Sequence, residues 1–89
     1  MYLHIGNGFV VRKDEILGVF DLDNTSQSHL TRKYLASAEK SGSVTNAAGD
    51  ELPKSFIVCG ENGGQRVFLS QLGSATLLRR CETQVIFDF

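Results

Sequence analysis

Short apolar runs broken by turn residues set the rhythm of the first part of the chain. Tyr2-Leu3-His4-Ile5 alternates apolar and polar positions as a half-buried strand does. Gly6-Asn7-Gly8 follows, and Asn and Gly accept the positive φ that tight hairpin turns require. Phe9-Val10-Val11-Arg12 is then the returning strand, and Lys13-Asp14-Glu15 a polar break. The apolar run Ile16–Leu22 reads as a central strand that ends in acids and small polar residues and hands over to a helix. Three strands in succession over residues 2 to 22 predict an antiparallel meander.

Asn24 to Ser28 are short polar residues suited to a helix start. Leu30, Tyr34, Leu35 and Ala38 recur at helical spacing, with His29, Arg32, Lys33 and Lys40 on the opposite side and Gly42 as the stop. Ser43–Pro53 reads as a loop with at most a short strand at Val44-Thr45, and Pro53 forces extended geometry on Leu52. Ser55-Phe56-Ile57-Val58-Cys59 is a buried strand by composition. It is joined through Glu61-Asn62-Gly63-Gly64 to a partner strand, Arg66-Val67-Phe68-Leu69-Ser70. Gly73-Ser74 opens a short helix through Ala75, Leu77 and Leu78 that closes on Arg79-Arg80, where cations complement the helix dipole. In the last segment, residues 84–89, Val85, Phe87 and Phe89 fall on one side of an extended tail strand. Such an apolar tail needs burial, within the subunit or against another.

The predicted fold is therefore α+β. It is a small, mainly antiparallel sheet, an N-terminal meander plus a later hairpin, with one long helix and one short C-terminal helix. The 89 residues fit a single domain, 1–89, near the size at which one core is barely sufficient. Apolar residues are 42% and charged residues 21% of the chain, which excludes a disordered class. Nine Lys+Arg against ten Asp+Glu give a net charge of −1, so any nucleic-acid binding requires charge sorted locally or multiplied by assembly. No apolar segment approaches the roughly 20 residues that span a bilayer. Without a secretory leader, a cytoplasmic location is expected, with Cys59 and Cys81 as free thiols.

The central run also carries candidate chemistry. Asp21-x-Asp23-x-Thr25 after an apolar strand resembles the first motif of haloacid-dehalogenase phosphotransferases. There the first aspartate attacks phosphorus and Mg²⁺ shields the phosphate, and Ser70 could pass for that family's phosphate-binding hydroxyl. The later lysine and the downstream acid pair are missing, and two hairpin signals oppose a doubly wound parallel sheet. Asp23, Asn24, Thr25 and Ser26 are adequately explained as turn chemistry, offering oxygens to backbone N–H groups. His4, His29, Cys59 and Cys81 lie at no ligand spacing, so no metal or cofactor is expected. Gly60 to Gly64 lacks the Lys-Ser/Thr of a phosphate loop.

Taken together, four segments resemble the small bacterial RemA/RemB family of extracellular matrix regulators, most closely its RemB branch. They are Met1-Tyr2-Leu3-His4-Ile5-Gly6, Ile16 to Asp21, Pro53 to Val58, and Phe68 through Arg80. The resemblance spans nearly the whole chain. It implies a non-enzymatic regulator of biofilm matrix genes. It also implies a homo-oligomer, possible DNA binding along a ring, and a RemA-like protein as a possible partner. In the RemA branch, basic residues precede the strand equivalent to Ser55–Cys59 and the central strand. Of these places, Lys54 keeps the charge, whereas Glu15 and Glu51 reverse it. Arg12, Lys13 and Arg66 stand close enough in sequence to offer substitute contacts. Two readings remain side by side: a DNA-binding homo-oligomer using Lys54, Arg12, Lys13 and Arg66, and an oligomeric protein-interaction module that binds no DNA. A dehalogenase-like phosphotransferase is the remote third.

Overall fold

Asn7 and Gly8 adopt positive φ of 52° and 79°, the twist that brings two short strands face to face. β1 (Tyr2–Gly6) and β2 (Phe9–Arg12) pair antiparallel across them, with Leu3 opposite Val11 and His4 opposite Val10. A 3-10 turn over Lys13–Glu15 then redirects the chain into β3 (Ile16–Asp21). The computed structural model describes residues 1–22 and 29–87. The remaining elements are α1 (His29–Lys40), β4 (Val44–Asn46), β5 (Ser55–Glu61), β6 (Gly64–Ser70) and α2 (Ser74–Phe87). This is the expected α+β fold with a mainly antiparallel sheet.

The N-terminal strands do not continue as a meander. β1 and β2 form their own two-stranded sheet, and β3 leaves it to pair antiparallel with β5 in a four-stranded sheet ordered β3-β5-β6-β4. The 3-10 turn causes the separation, because it changes the chain's direction between β2 and β3. β5 and β6 form the second expected hairpin, turning at Asn62 and Gly63 with φ of 46° and 82°. β4 runs parallel to β6, Thr45 beside Phe68.

β5 is buried on both faces, which explains its unbroken apolar composition. On one face, Ile57 and Cys59 join Leu3, Ile5 and Val11 of the hairpin and Leu77 of α2 in the larger core. On the other, Phe56, Val58 and Val67 pack against Leu35 and Ala38 of α1. The molecule is thus three layers: α1, the four-stranded sheet, and the hairpin with α2.

α2 differs from the expected short helix and tail strand. Its first helical bond runs from the Leu77 N–H to the Gly73 carbonyl at 3.1 Å, and the helix continues through residues 84 to 87. Residues 88 and 89 lie outside the described residues. Leu77 is fully buried and Cys81, one turn on, packs against the same core, so the helix is fixed by an i, i+4 stripe that passes Arg79-Arg80.

Candidate nucleic-acid interface

The four cations singled out in the sequence occupy three places. Arg12 ends β2 opposite Tyr2, and its guanidinium meets the Asp14 carboxylate at 3.2 Å. Both side chains are more than half exposed, so this pair contributes little and leaves Arg12 available to an anion. Lys13 is held at both ends: its backbone N–H donates to the Met1 carbonyl, and its ammonium donates to the Cys81 carbonyl of α2 at 3.1 Å. Arg66 lies half-buried on β6, its guanidinium donating to the Thr45 hydroxyl at 3.1 Å. Lys54 is exposed at the start of β5, where its N–H donates to the Ser70 carbonyl and its carbonyl accepts from Leu22.

Register separates these places. Arg66 stands opposite Cys59, five residues along the chain from Lys54. At about 3.3 Å per residue that is about 16 Å of strand. Arg12 and Lys13 belong to the other sheet's end. Of the four, the fold brings Arg12 and Lys13 together and keeps Lys54 and Arg66 apart. Glu15 and Glu51 are both exposed, so the two reversed charges face solvent.

One further cation, Arg80, joins the Arg12–Lys13 end. Arg79 and Arg80 are exposed on α2, and the Arg80 guanidinium donates to the His4 carbonyl of β1 at 3.1 Å. Because α2 runs on to Phe87, they sit inside the helix and not in its last turn, where a dipole would explain them. The alternating tail hid this in the sequence. The signal that reveals it is the absence of Gly or Pro between Ser74 and Phe87, with Leu77 and Cys81 at helical spacing.

The dehalogenase-like set takes a different form. Asp23 and Thr25 lie outside the described residues. Asp21 is half-buried and accepts a long hydrogen bond, 3.5 Å, from the Ser74 hydroxyl. The Ser70 hydroxyl is fully buried, donating to the Ile5 carbonyl at 2.7 Å and accepting from the Leu72 N–H at 3.0 Å. Ser70 is therefore a structural bridge with both its roles taken. His4 and His29 are exposed, Cys59 buried and Cys81 half-buried. Among the described residues no three His, Cys, Asp or Glu side chains are grouped to hold a metal ion. Nor is any described helix long and apolar enough to cross a membrane.

A groove of about 400 Å³ opens between α1 and the sheet, lined by Leu17, Phe20, Leu30, Tyr34, Phe56 and Val58 among others. Its floor is the stacked pair Phe20–Phe56, with ring centroids 5.0 Å apart.

Comparison with known proteins bears on what these surfaces serve. Residues 2–81 match the family model described as RemA-like, extracellular matrix regulatory protein A-like. The chain is also similar to extracellular matrix regulatory protein B of Bacillus subtilis (strain 168), 33% identical over 88 residues, covering 99% of each chain.

Proposed function

The chain belongs to the RemA-like family of extracellular matrix regulatory proteins, and we propose that it controls matrix genes as a cytoplasmic homo-oligomer that binds DNA. The observation that carries this reading is the match to a matrix regulatory protein across 99% of both chains. The action proposed is binding, without catalysis.

Oligomerisation is the step that makes DNA binding physically reasonable at a net charge of −1. A few cations per subunit give little affinity alone, but repeated around an assembly they act together on one duplex. The outer edge of β3 favours such assembly. It has no partner strand among the described residues, and Ile16 to Phe20 carries neither charge nor proline to protect it. Leu17 there is 62% exposed and Leu30 across the groove 76%. Apolar surface of this kind marks contact with another chain.

A second reading has its own support. Exposed Glu15 and Glu51 repel phosphate, which favours an oligomeric interaction module within the same regulation, with a RemA-like protein as one partner. Binding of fluorescent duplex DNA to the full chain, measured over a range of salt, separates the two. Affinity that falls steeply with rising salt supports the DNA-binding reading. No binding at low salt rejects it in favour of the interaction module.

A further inference from the structure

We propose that the groove between α1 and the sheet is a binding site for a neutral, flat aromatic molecule carrying one hydroxyl or carbonyl group. Such a site stands whether or not the protein binds DNA. Leu30, Tyr34 and Ala38 follow one another at four-residue spacing along one stripe of α1, with Leu35 beside them. The C-terminal half of that stripe is seated, since Leu35 and Ala38 pack on Phe56, Val58 and Val67. The N-terminal half is not: Leu30 is 76% exposed and Tyr34 37%. The gap left between the first turns of α1 and the sheet has a volume of about 400 Å³, within the range of sites that take small organic molecules.

The floor of the gap has a defined shape. Phe56 and Val58 are nearly buried there, and Phe56 covers one face of the Phe20 ring at a centroid distance of 5.0 Å. The Phe20 ring lies back across β3 at Gly18, where an added Cβ would come within 2.7 Å of its Cε2. Any larger residue at that position would displace the ring. Phe20 stays 39% exposed and lines the groove, so it offers ring surface on which a second flat ring can stack. None of the side chains lining the groove is charged, which disfavours an ionic ligand, since its charge would lose water without gaining a partner. Polar groups enter at one place. The Tyr34 hydroxyl donates to Gln65 Oε1 at 2.8 Å and joins α1 to β6. That bond orients the amide, whose Nε2 keeps its N–H donors without a partner among the described residues. An acceptor oxygen on the ligand answers them. Leu17 and Leu30, proposed to meet another chain, form the exposed rim, and the ligand takes the floor beneath.

The test titrates the full chain with 2-naphthol, naphthalene and 2-naphthoate, read by probe fluorescence, with circular dichroism and sedimentation recorded for each protein. 2-Naphthol should saturate at one molecule per chain and bind more tightly than naphthalene, and 2-naphthoate should bind least. Gln65→Leu, at an exposed position, should weaken 2-naphthol about fivefold, the share of one hydrogen bond, and leave naphthalene unchanged. Gly18→Ala should weaken both neutral probes by displacing Phe20. Val10→Ala, on the hairpin across the sheet from the groove, should change neither. Binding of 2-naphthol that never saturates, that 2-naphthoate equals, or that Gln65→Leu leaves unchanged overturns the site. Should Gly18→Ala fail to fold, Gln65→Leu alone decides. No binding of either neutral probe overturns the site too. Binding that appears only as the protein is diluted to single chains overturns it as well and assigns the groove to a second copy.

Discussion

Ser70 has no exposed surface, and its one hydroxyl joins three segments. It sits at the end of β6, donates to the carbonyl of Ile5 in β1 and accepts from the Leu72 N–H beyond the strand. Ser70→Ala would leave a buried carbonyl and a backbone N–H without their partner. The destabilisation should be about 1–3 kcal/mol, measured by urea unfolding with an unchanged m-value. A change below a few tenths would mean that water replaces the hydroxyl. From sequence this residue could be read as a phosphate-binding serine, because its neighbours show an apolar run but not what the hydroxyl meets. The same limit applies to Arg79 and Arg80, whose meaning depends on α2 continuing beyond them. By contrast, the buried strand that follows Lys54 was legible from its composition, and Lys54 stands exposed just before it.

Among elements, the hairpins were the most legible. Asn-Gly pairs at 7–8 and 62–63 are local signals, and both take the positive φ that such turns require. Gly63→Ala forces a side chain into φ of 82°, with nothing within 4 Å to clash. Its effect isolates backbone strain, and roughly 1 kcal/mol of destabilisation is expected in thermal unfolding. Gly73→Ala, where nothing crowds the added methyl and φ is not positive, serves as the comparison and should change stability less. Pairing between distant segments was not legible. The union of β3 with β5 joins residues far apart in sequence, and no local pattern distinguishes it from pairing with β2. The C-terminal segment misled for a physical reason as well. Val85, Phe87 and Phe89 alternate as a strand would, while Leu77 and Cys81 supply the helical stripe that anchors α2. Leu77→Ala should therefore cost about 2–5 kcal/mol, since Leu77 is fully buried between α2 and the hairpin. A small effect in denaturant titration would mean that α2 is not seated on that core.

At the scale of the whole molecule, three layers present two surface features: the hairpin–α2 junction that carries Lys13 and Arg80, and the apolar groove beside β3. The layers separate them, since α1 and the groove lie on one face of the sheet and the hairpin with α2 on the other. Assembly along the β3 edge would therefore leave the hairpin–α2 junction of every copy free. Leu17→Asp places a charge on that edge where the side chain is already mostly solvated. It should preserve the fold by circular dichroism while lowering the mass of the assembly in solution. An unchanged mass would move the subunit contact to another surface, such as the outer face of the hairpin with Tyr2 and Val10. The family was legible from four short segments in order, and the α+β class from the strand, turn and helix patterning along the chain. The proposed contact between subunits was not, because one chain's sequence does not display a second copy.

Sedimentation of the full chain, alone and with labelled duplex DNA at low and high salt, reads assembly and binding together. A species well above the 9.8 kDa of one chain that carries DNA at low salt and releases it as salt rises is the expected result. A monomer, or an assembly that sediments apart from the DNA even at low salt, would contradict the proposal that this protein acts as an oligomer on DNA.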